Sequence, residues 1–225
     1  MHQPRAENNC IENGMTPTYH LTYFQSKALA EPIRFLFSYG NIEFEDIRIE
    51  KSNWPEIKPS LPFGQAPVLE FNGIRAYQSI AITRYVAKQV KLAGANDVED
   101  LEIDAVVDTV NDLRIKISEF CYEMDSVAKE RRRQSLFDEV LPYYLERFET
   151  IVENNNGHLA TGKLTWADIH FVGILDYLSF MTGKTIIAGY PGLQNLEKTI
   201  LNLPGIKEWV AKRPVTRAYS IHILP

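Results

Sequence analysis

The sequence predicts two joined units: a small α/β unit with elements in the order β-α-β, β-β-α, then an all-α unit. Three observations carry this. Between Thr18 and Lys91 the apolar spacing switches between period 2 and the helical period. Asn72-Gly73 sits between two short β-rich runs, the strongest short-range hairpin signal. From the stretch LAGAND (92–97) onward no segment reads as a strand, and five read as helices.

Thr18–Phe24 is rich in β-branched and aromatic residues and reads as the first strand. Ala28–Tyr39 places Leu29, Ile33, Leu36 and Phe37 at helical spacing and stops at Gly40. Pro32 falls in its first turn, where a missing N–H costs little. Ile42–Ile49 alternates, with one irregularity, as a second strand, and Trp54–Lys58 reads as a short helix or turn. Pro67–Phe71 and Ile74–Tyr77 flank the hairpin turn. Gln78–Lys91 is a helix with Ile80, Ile82, Tyr85, Val86 and Val90 apolar and Ser79 as its N-cap. A crossover followed by a hairpin gives a mixed sheet with helices on both faces, a thioredoxin-like topology. Helices follow over Val98–Tyr122, Lys129–Asn154, Thr165–Met181, Tyr190–Asn202 and Ile206–Ala211. Thr165 with Asp168 three residues on is a capping-box variant. The expected divisions are a flexible N-terminal extension (1–15), the α/β unit (16–93), a linker (94–98), the helical unit (99–215) and a C-terminal tail (216–225). Met15 is an alternative start to Met1.

The 225 residues are 45% hydrophobic and 24% charged, which excludes global disorder. No apolar run approaches the roughly 18 residues a spanning helix needs, and the polar N-terminus has no secretory apolar core. The net charge of −5 argues against a general nucleic-acid binder. That charge is uneven: residues 18–93 carry net +2 and residues 94–225 net −6. Cys10 and Cys121 form no disulfide framework, so a reducing cytoplasm is the expected setting. The five histidines (His2, His20, His158, His170, His222) lack metal-ligand spacing, and no metal site is expected. The run Lys129–Arg133 reads as a solvated helix start.

The end of the first strand reads Tyr23-Phe24-Gln25-Ser26-Lys27-Ala28, without cysteine, which excludes disulfide exchange there. Tyr23 offers a neutral hydroxyl suited to stabilising a ligand's anion, or it is a strand residue facing the core. Pro67, after Phe63-Gly64-Gln65-Ala66, is a cis-proline candidate or a trans proline opening an edge strand. In the cis case the Ala66 backbone could pair with a peptide-like ligand. Gln78-Ser79 at a helix start is a carboxylate site or a plain cap. Trp54 and Lys58 could hold a second carboxylate, or be a packed tryptophan and a surface lysine.

The segments TYHLTYF, AEPIRFLF, WPEIKPSLPFGQAPVLEFNG and YQSIAITRY together resemble the glutathione-binding domain of cytosolic glutathione transferases. DAVVDTVNDLR and LTWADIHF resemble the helical domain of the same family. The resemblance covers about residues 16–215 and is greatest to the sigma class, in its arthropod branch. It implies that Tyr23 hydrogen-bonds the glutathione thiolate and that Phe24 lines the electrophile pocket, with part of the helix at 111–119. It implies glycyl-end contacts from Trp54, Lys58 and Gln65, backbone pairing from Ala66 before cis-Pro67, and γ-glutamyl contacts from Gln78 and Ser79. Asp112 matches an acid reaching the γ-glutamyl amine of glutathione in the partner subunit, which requires a homodimer. Phe63 lies near a position that inserts into the partner in related classes. The implied activity is conjugation of glutathione to hydrophobic electrophiles in detoxification, lipid-peroxidation products such as unsaturated aldehydes included. The alternatives are glutathione-dependent isomerisation of prostaglandin H2 and an S-crystallin-like structural role. Leu29 stands where vertebrate prostaglandin D synthases have an arginine, and Asn111 where they have an acid of a metal-activating cluster. Both departures weigh against the isomerase and against a metal. No nucleic acid or membrane partner is expected.

Overall fold

The computed structural model describes residues 17–215. The expectations for 1–15, for Met15 and for 216–225 lie outside the described residues.

Four strands form one mixed sheet in the order β2-β1-β3-β4. Strand β1 (Tyr19–Phe24) pairs in parallel with β2 (Phe44–Ile49), Tyr23 lying opposite Arg48. On its other side β1 pairs antiparallel with β3 (Val68–Phe71), with Leu21 opposite Leu69. Strand β4 (Ile74–Tyr77) closes the hairpin through Asn72 and Gly73. Both turn residues have positive φ, 47° and 75°, as a turn matched to strand twist requires. Alternation on β1 sends Tyr19, Leu21 and Tyr23 into the core.

Helix α1 (Glu31–Tyr39) follows a 3₁₀ turn at Ala28–Ala30. The apolar spacing suggested an amphipathic helix, but every residue from Glu31 to Phe37 is buried. The reason is that α1 lies between the sheet and two helices of the second unit, α7 (Trp166–Thr182) and α9 (Pro204–Lys212). A short helix α2 (Trp54–Ile57) precedes β3, and α3 (Ser79–Gln89) packs against α1. Ser79 is not the N-cap of α3 but its first residue. The cap is Gln78, whose φ of 71° turns the chain without a side-chain bond.

The all-helical unit begins with α4 (Asp97–Cys121), capped by the Asn96 carboxamide on Val98 and Glu99. The segment read as one helix at 129–154 starts earlier, at α5 (Ser126–Ser135), because Asp125 caps it at the Ala128 N–H. One wide π-turn (Leu136–Val140) joins it to α6 (Leu141–Asn154). Helix α7 is buried without a break from Trp166 to Leu175 and starts with the expected Thr165–Asp168 box, in which the Asp168 carboxylate accepts from the Thr165 N–H at 2.9 Å. Helix α8 (Pro191–Leu201) is capped from a distance: the Glu149 carboxylate of α6 accepts from the Gly192 and Leu193 N–H groups at 2.7 and 2.9 Å. Among the described residues no helix is long and apolar enough to cross a membrane.

Gly173 of α7 faces Pro32 of α1; a Cβ there would lie 2.9 Å from the Pro32 Cα. Gly173→Ala is therefore expected to cost about 1–3 kcal/mol in urea unfolding, because backbone rather than a flexible side chain must give way. The fully buried His170 imidazole is pushed down to about 4, first by burial and then by the Arg114 charge. Neutral in the fold, it contributes stability that is complete above about pH 6.5 and falls away below it. Its share of the acid loss by pH 4 is about 3 kcal/mol. His158 works in the opposite sense. Its bond to Asp168, against some burial, raises its pKa, so its contribution is full at low pH and is lost as pH rises past its folded value. His170→Gln should flatten the stability curve between about pH 6.5 and 4 in equilibrium unfolding, leaving the His158 trend.

Candidate active site

Tyr23 ends β1 where the sheet meets the helical unit, and it is 6% exposed. Burial pushes its phenol up to about 12. The nearby Leu29 backbone N–H opposes that rise, and so do the Arg34 and Arg114 charges. At neutral pH the group is an un-ionised hydroxyl. As a neutral hydroxyl it carries a proton that it can donate to an acceptor. Leu29 lies in the 3₁₀ turn Ala28–Ala30, which opens at a φ of 35°.

The other expected residues fall along the same rim. The Phe24 ring meets Tyr23 edge-on at 5.4 Å and leans on Trp54 at 4.9 Å. Trp54 opens α2, and Lys58 follows it with its stem against Gly64, where a Cβ would meet the Lys58 Cγ at 3.2 Å. Gln65 is exposed and extended, and the Ala66-Pro67 bond is cis. Gln78 and Ser79 stand at the N-terminus of α3, whose first N–H groups have no helical partner. Strand β1, the loop before β3 and the start of α3 thus bring these residues to one edge of the sheet.

Asp112 is not on the Tyr23 side of α4. It is exposed, near Tyr144 of α6, whose phenol is pushed up first by burial and then by the Asp112 carboxylate. Two residues on, Arg114 faces the other way. The part of α4 expected to line the electrophile pocket carries a polar group that the residues alone did not single out, and two further polar side chains lie near it. Arg114 is largely buried and acts electrostatically on Tyr23, Tyr122 and Tyr177. The Tyr122 and Tyr177 hydroxyls share a 2.8 Å hydrogen bond, and burial raises both above the ordinary phenol value. One signal was available. Arg114 continues the spacing Val110, Ile117, Cys121 of the buried stripe on α4, so a cation occupies a place where the period calls for an apolar residue. At the rim Lys27 of the β1–α1 connection and Asp176 of α7 form a 3.1 Å ion pair across the two units. Among the described residues no three His, Cys, Asp or Glu side chains gather as metal ligands.

A buried polar network lies beneath the site. Arg34 of α1 is fully buried and its guanidinium carbon is 5.9 Å from the Tyr23 ring centre. It donates to Asp46 at 3.0 Å, to Glu31 at 3.2 Å and to the Ser26 carbonyl at 2.9 Å.

The chain matches the family model described as glutathione S-transferase, N-terminal domain, over residues 19–88. It matches that described as glutathione S-transferase, C-terminal domain, over 111–213. It is 50% identical over 200 residues to a glutathione S-transferase of Anopheles gambiae, covering 89% of this chain and 98% of that one. It is 50% identical over 199 residues to glutathione S-transferase S1 of Drosophila melanogaster, covering 88% and 80%. The solved structure of prostaglandin synthase D of Nilaparvata lugens superposes with a TM-score of 0.84 at 45% identity, covering 88% of this chain and 99% of that one.

The burial of Tyr23 gives a direct spectroscopic expectation. In difference titration at the phenolate band, Tyr23→Phe should remove one group that ionises near pH 12 and leave the titration below pH 10 unchanged.

Proposed function

The chain belongs to the glutathione S-transferase family, and from that membership we propose that Tyr23 is its catalytic residue. The Tyr23 hydroxyl donates to the sulfur of glutathione and holds it as thiolate, which attacks an electrophile lying between the two units. The single observation behind this reading is that Tyr23 is buried and held neutral near the end of β1, beside the Arg34 guanidinium. A free thiol near 8.5 is only a few per cent ionised at pH 7. A hydrogen bond to a charged acceptor contributes about 1.5–3 kcal/mol, which corresponds to a depression of one to two units.

In this reading the remaining groups divide by the charges of the tripeptide. Gln78 and Ser79, at the α3 N-terminus, take the γ-glutamyl carboxylate. The Ala66 backbone beside Pro67 pairs with the cysteinyl residue, and Trp54, Lys58 and Gln65 hold the glycyl end. Asp112 of the partner subunit meets the γ-glutamyl amine, so the working form is a homodimer. The outward placement of Asp112, away from its own Tyr23, supports that assignment, and so does Phe63, 79% exposed beside Tyr77. The reading includes sigma class, a cytoplasmic setting and a detoxifying role, with no metal in the reaction.

Phe24 supplies an apolar side to the electrophile pocket, while Arg114, Tyr122 and Tyr177 give it a polar end. That combination suits an apolar tail carrying a carbonyl or hydroxyl head, as in an unsaturated aldehyde from lipid peroxidation. Addition of the thiolate there builds negative charge on the carbonyl oxygen, within the field of Arg114. The likeness to a prostaglandin synthase D supports a second reading, isomerisation of prostaglandin H2 by the same thiolate. An S-crystallin-like structural role is disfavoured by the intact set Tyr23, Gln78, Ser79 and Asp112.

Turnover of a chlorodinitrobenzene-type electrophile, an unsaturated aldehyde and prostaglandin H2 should be compared with glutathione present. Inertness towards all three would favour the structural role. Tyr23→Phe is expected to lower conjugation about 100-fold while glutathione binding, read by calorimetry, is largely kept; a rate within about twofold of the parent would sink the mechanism. Arg114→Leu should lower kcat/KM for the unsaturated aldehyde about 10-fold, since addition of the thiolate builds charge on the carbonyl oxygen that the guanidinium stabilises.

A further inference from the structure

We propose that Arg213, the residue closing α9, is a positioning residue for the Tyr23 hydroxyl, acting through the buried Glu31–Arg34 pair. The proposal rests on the reading of Tyr23 given above. It starts from an unusual concentration of charge inside the fold. Glu31 is 1% exposed, and each of its carboxylate oxygens faces a different part of the molecule. Oε1 accepts from the second unit: Arg213 Nη1 at 2.6 Å and Trp209 Nε1 at 2.9 Å. Oε2 accepts Arg34 Nη1 at 3.2 Å. Glu31 is therefore the joint between α9 and the guanidinium that lies beside the Tyr23 ring.

Arg34 in turn holds the loop that serves Tyr23. Its Nη1 donates to the Ser26 carbonyl at 2.9 Å and reaches the Lys27 carbonyl at 3.5 Å. Its Nε donates to Asp46 at 3.0 Å. The other Asp46 oxygen binds Arg48, whose Nη1 donates to the Gln25 carbonyl at 3.0 Å. Two guanidinium groups thus clamp three successive carbonyls, Gln25 to Lys27. The next residues form the 3₁₀ turn that brings the Leu29 N–H near the Tyr23 hydroxyl, and the Arg34 guanidinium itself lies 5.9 Å from the Tyr23 ring centre.

Arg213 acts on this arrangement in two ways. By satisfying Glu31 Oε1 it leaves Oε2 alone to face Arg34, which keeps Nη1 directed at Ser26. It also sets the sign of the local field. The linked set holds three guanidinium groups (Arg34, Arg48, Arg213) against two carboxylates (Glu31, Asp46). Removing Arg213 balances the charges and withdraws net positive potential from beneath an anion held at Tyr23. The other charged or titratable groups facing this site are Lys27, paired with Asp176 of α7, Arg114 and Tyr122 of α4, and Tyr177 of α7. Glu50 beyond β2 bonds Gln25 at the surface. None of these contacts Arg213 directly in the set above, so its removal leaves them in place.

Arg213→Met keeps the stem near the Phe35 ring and removes the guanidinium. Arg213→Gln removes the charge but keeps a donor, and Arg213→Lys keeps the charge. The measurement is kcat/KM for conjugation against pH, with KM for glutathione and the melting temperature recorded beside it. In Arg213→Met and Arg213→Gln the apparent ionisation of the bound thiol should move up by about half a unit. This reads as an about 3-fold loss at pH 6.5 that closes to within about twofold above pH 9, with KM for glutathione within about twofold of the parent. Arg213→Lys should recover more than half of the loss. If Arg213→Met does not fold, Arg213→Gln carries the same expectation. A profile that superposes on the parent, or a loss equal at every pH, would show a merely structural role and overturn the proposal. Tyr23→Phe is assayed in parallel. If it stays active, the catalytic reading itself fails; if it is inactive and the Arg213 profiles are parental, this proposal alone fails.

Discussion

The structure depends on one constraint, the burial of α1 on every side. A helix that faces the sheet on one flank and α7 and α9 on the other has no solvent face, yet it carries Glu31 and Arg34. Such charges need pairing, and leaving one of them alone costs about 3–5 kcal/mol; the pair is well bonded except for Arg34 Nη2, which has no partner among the described residues. The consequence reaches well beyond α1. Asp46 and Arg48 of β2, the carbonyls before the 3₁₀ turn, and Trp209 and Arg213 of α9 are all recruited to satisfy that pair. The joint between the two units and the floor beneath Tyr23 are one hydrogen-bonded object.

This arrangement also explains the character of Tyr23. Burial alone would make its phenol an inert, neutral group. The Leu29 N–H and the nearby guanidinium groups restore polarity without ionising it. A donor that stays protonated while sitting in positive potential is suited to an anionic sulfur. The same positive field, supplied from α4 by Arg114, extends into the space beside it, where Tyr122 and Tyr177 share their hydrogen bond.

Much of this was legible in the residues. The alternation in Thr18–Phe24, the Asn72-Gly73 turn and the Thr165–Asp168 box each act over a few residues, so local chemistry suffices to read them. The choice of Tyr23, Trp54, Lys58, Gln65, Gln78 and Ser79 needed the family resemblance, since spacing alone left each with an equally plain structural reading. What stayed hidden is tertiary. Ser79 reads as a cap because it has the right hydroxyl, but the turn is made by the backbone of Gln78 at positive φ. Lys129–Arg133 drew the helix start too late because the capping Asp125 lies outside the basic run. Arg114 takes its meaning only where the fold sets it against three phenols. Arg213, 182 residues from Glu31 along the chain, gives no sequence sign of its target.

The contact between Gly173 and Pro32 has a meaning for the history of the molecule. The two units meet there with no side chain between backbones, so the seam has no play. Modules joined in this way cannot be exchanged as independent parts. A helical half taken from a relative fits this α/β half only if it brings a residue without a Cβ to that point and a basic residue to the end of its last helix. In this chain the two halves are fitted to each other where they touch, at Gly173 against Pro32 and at Arg213 against Glu31.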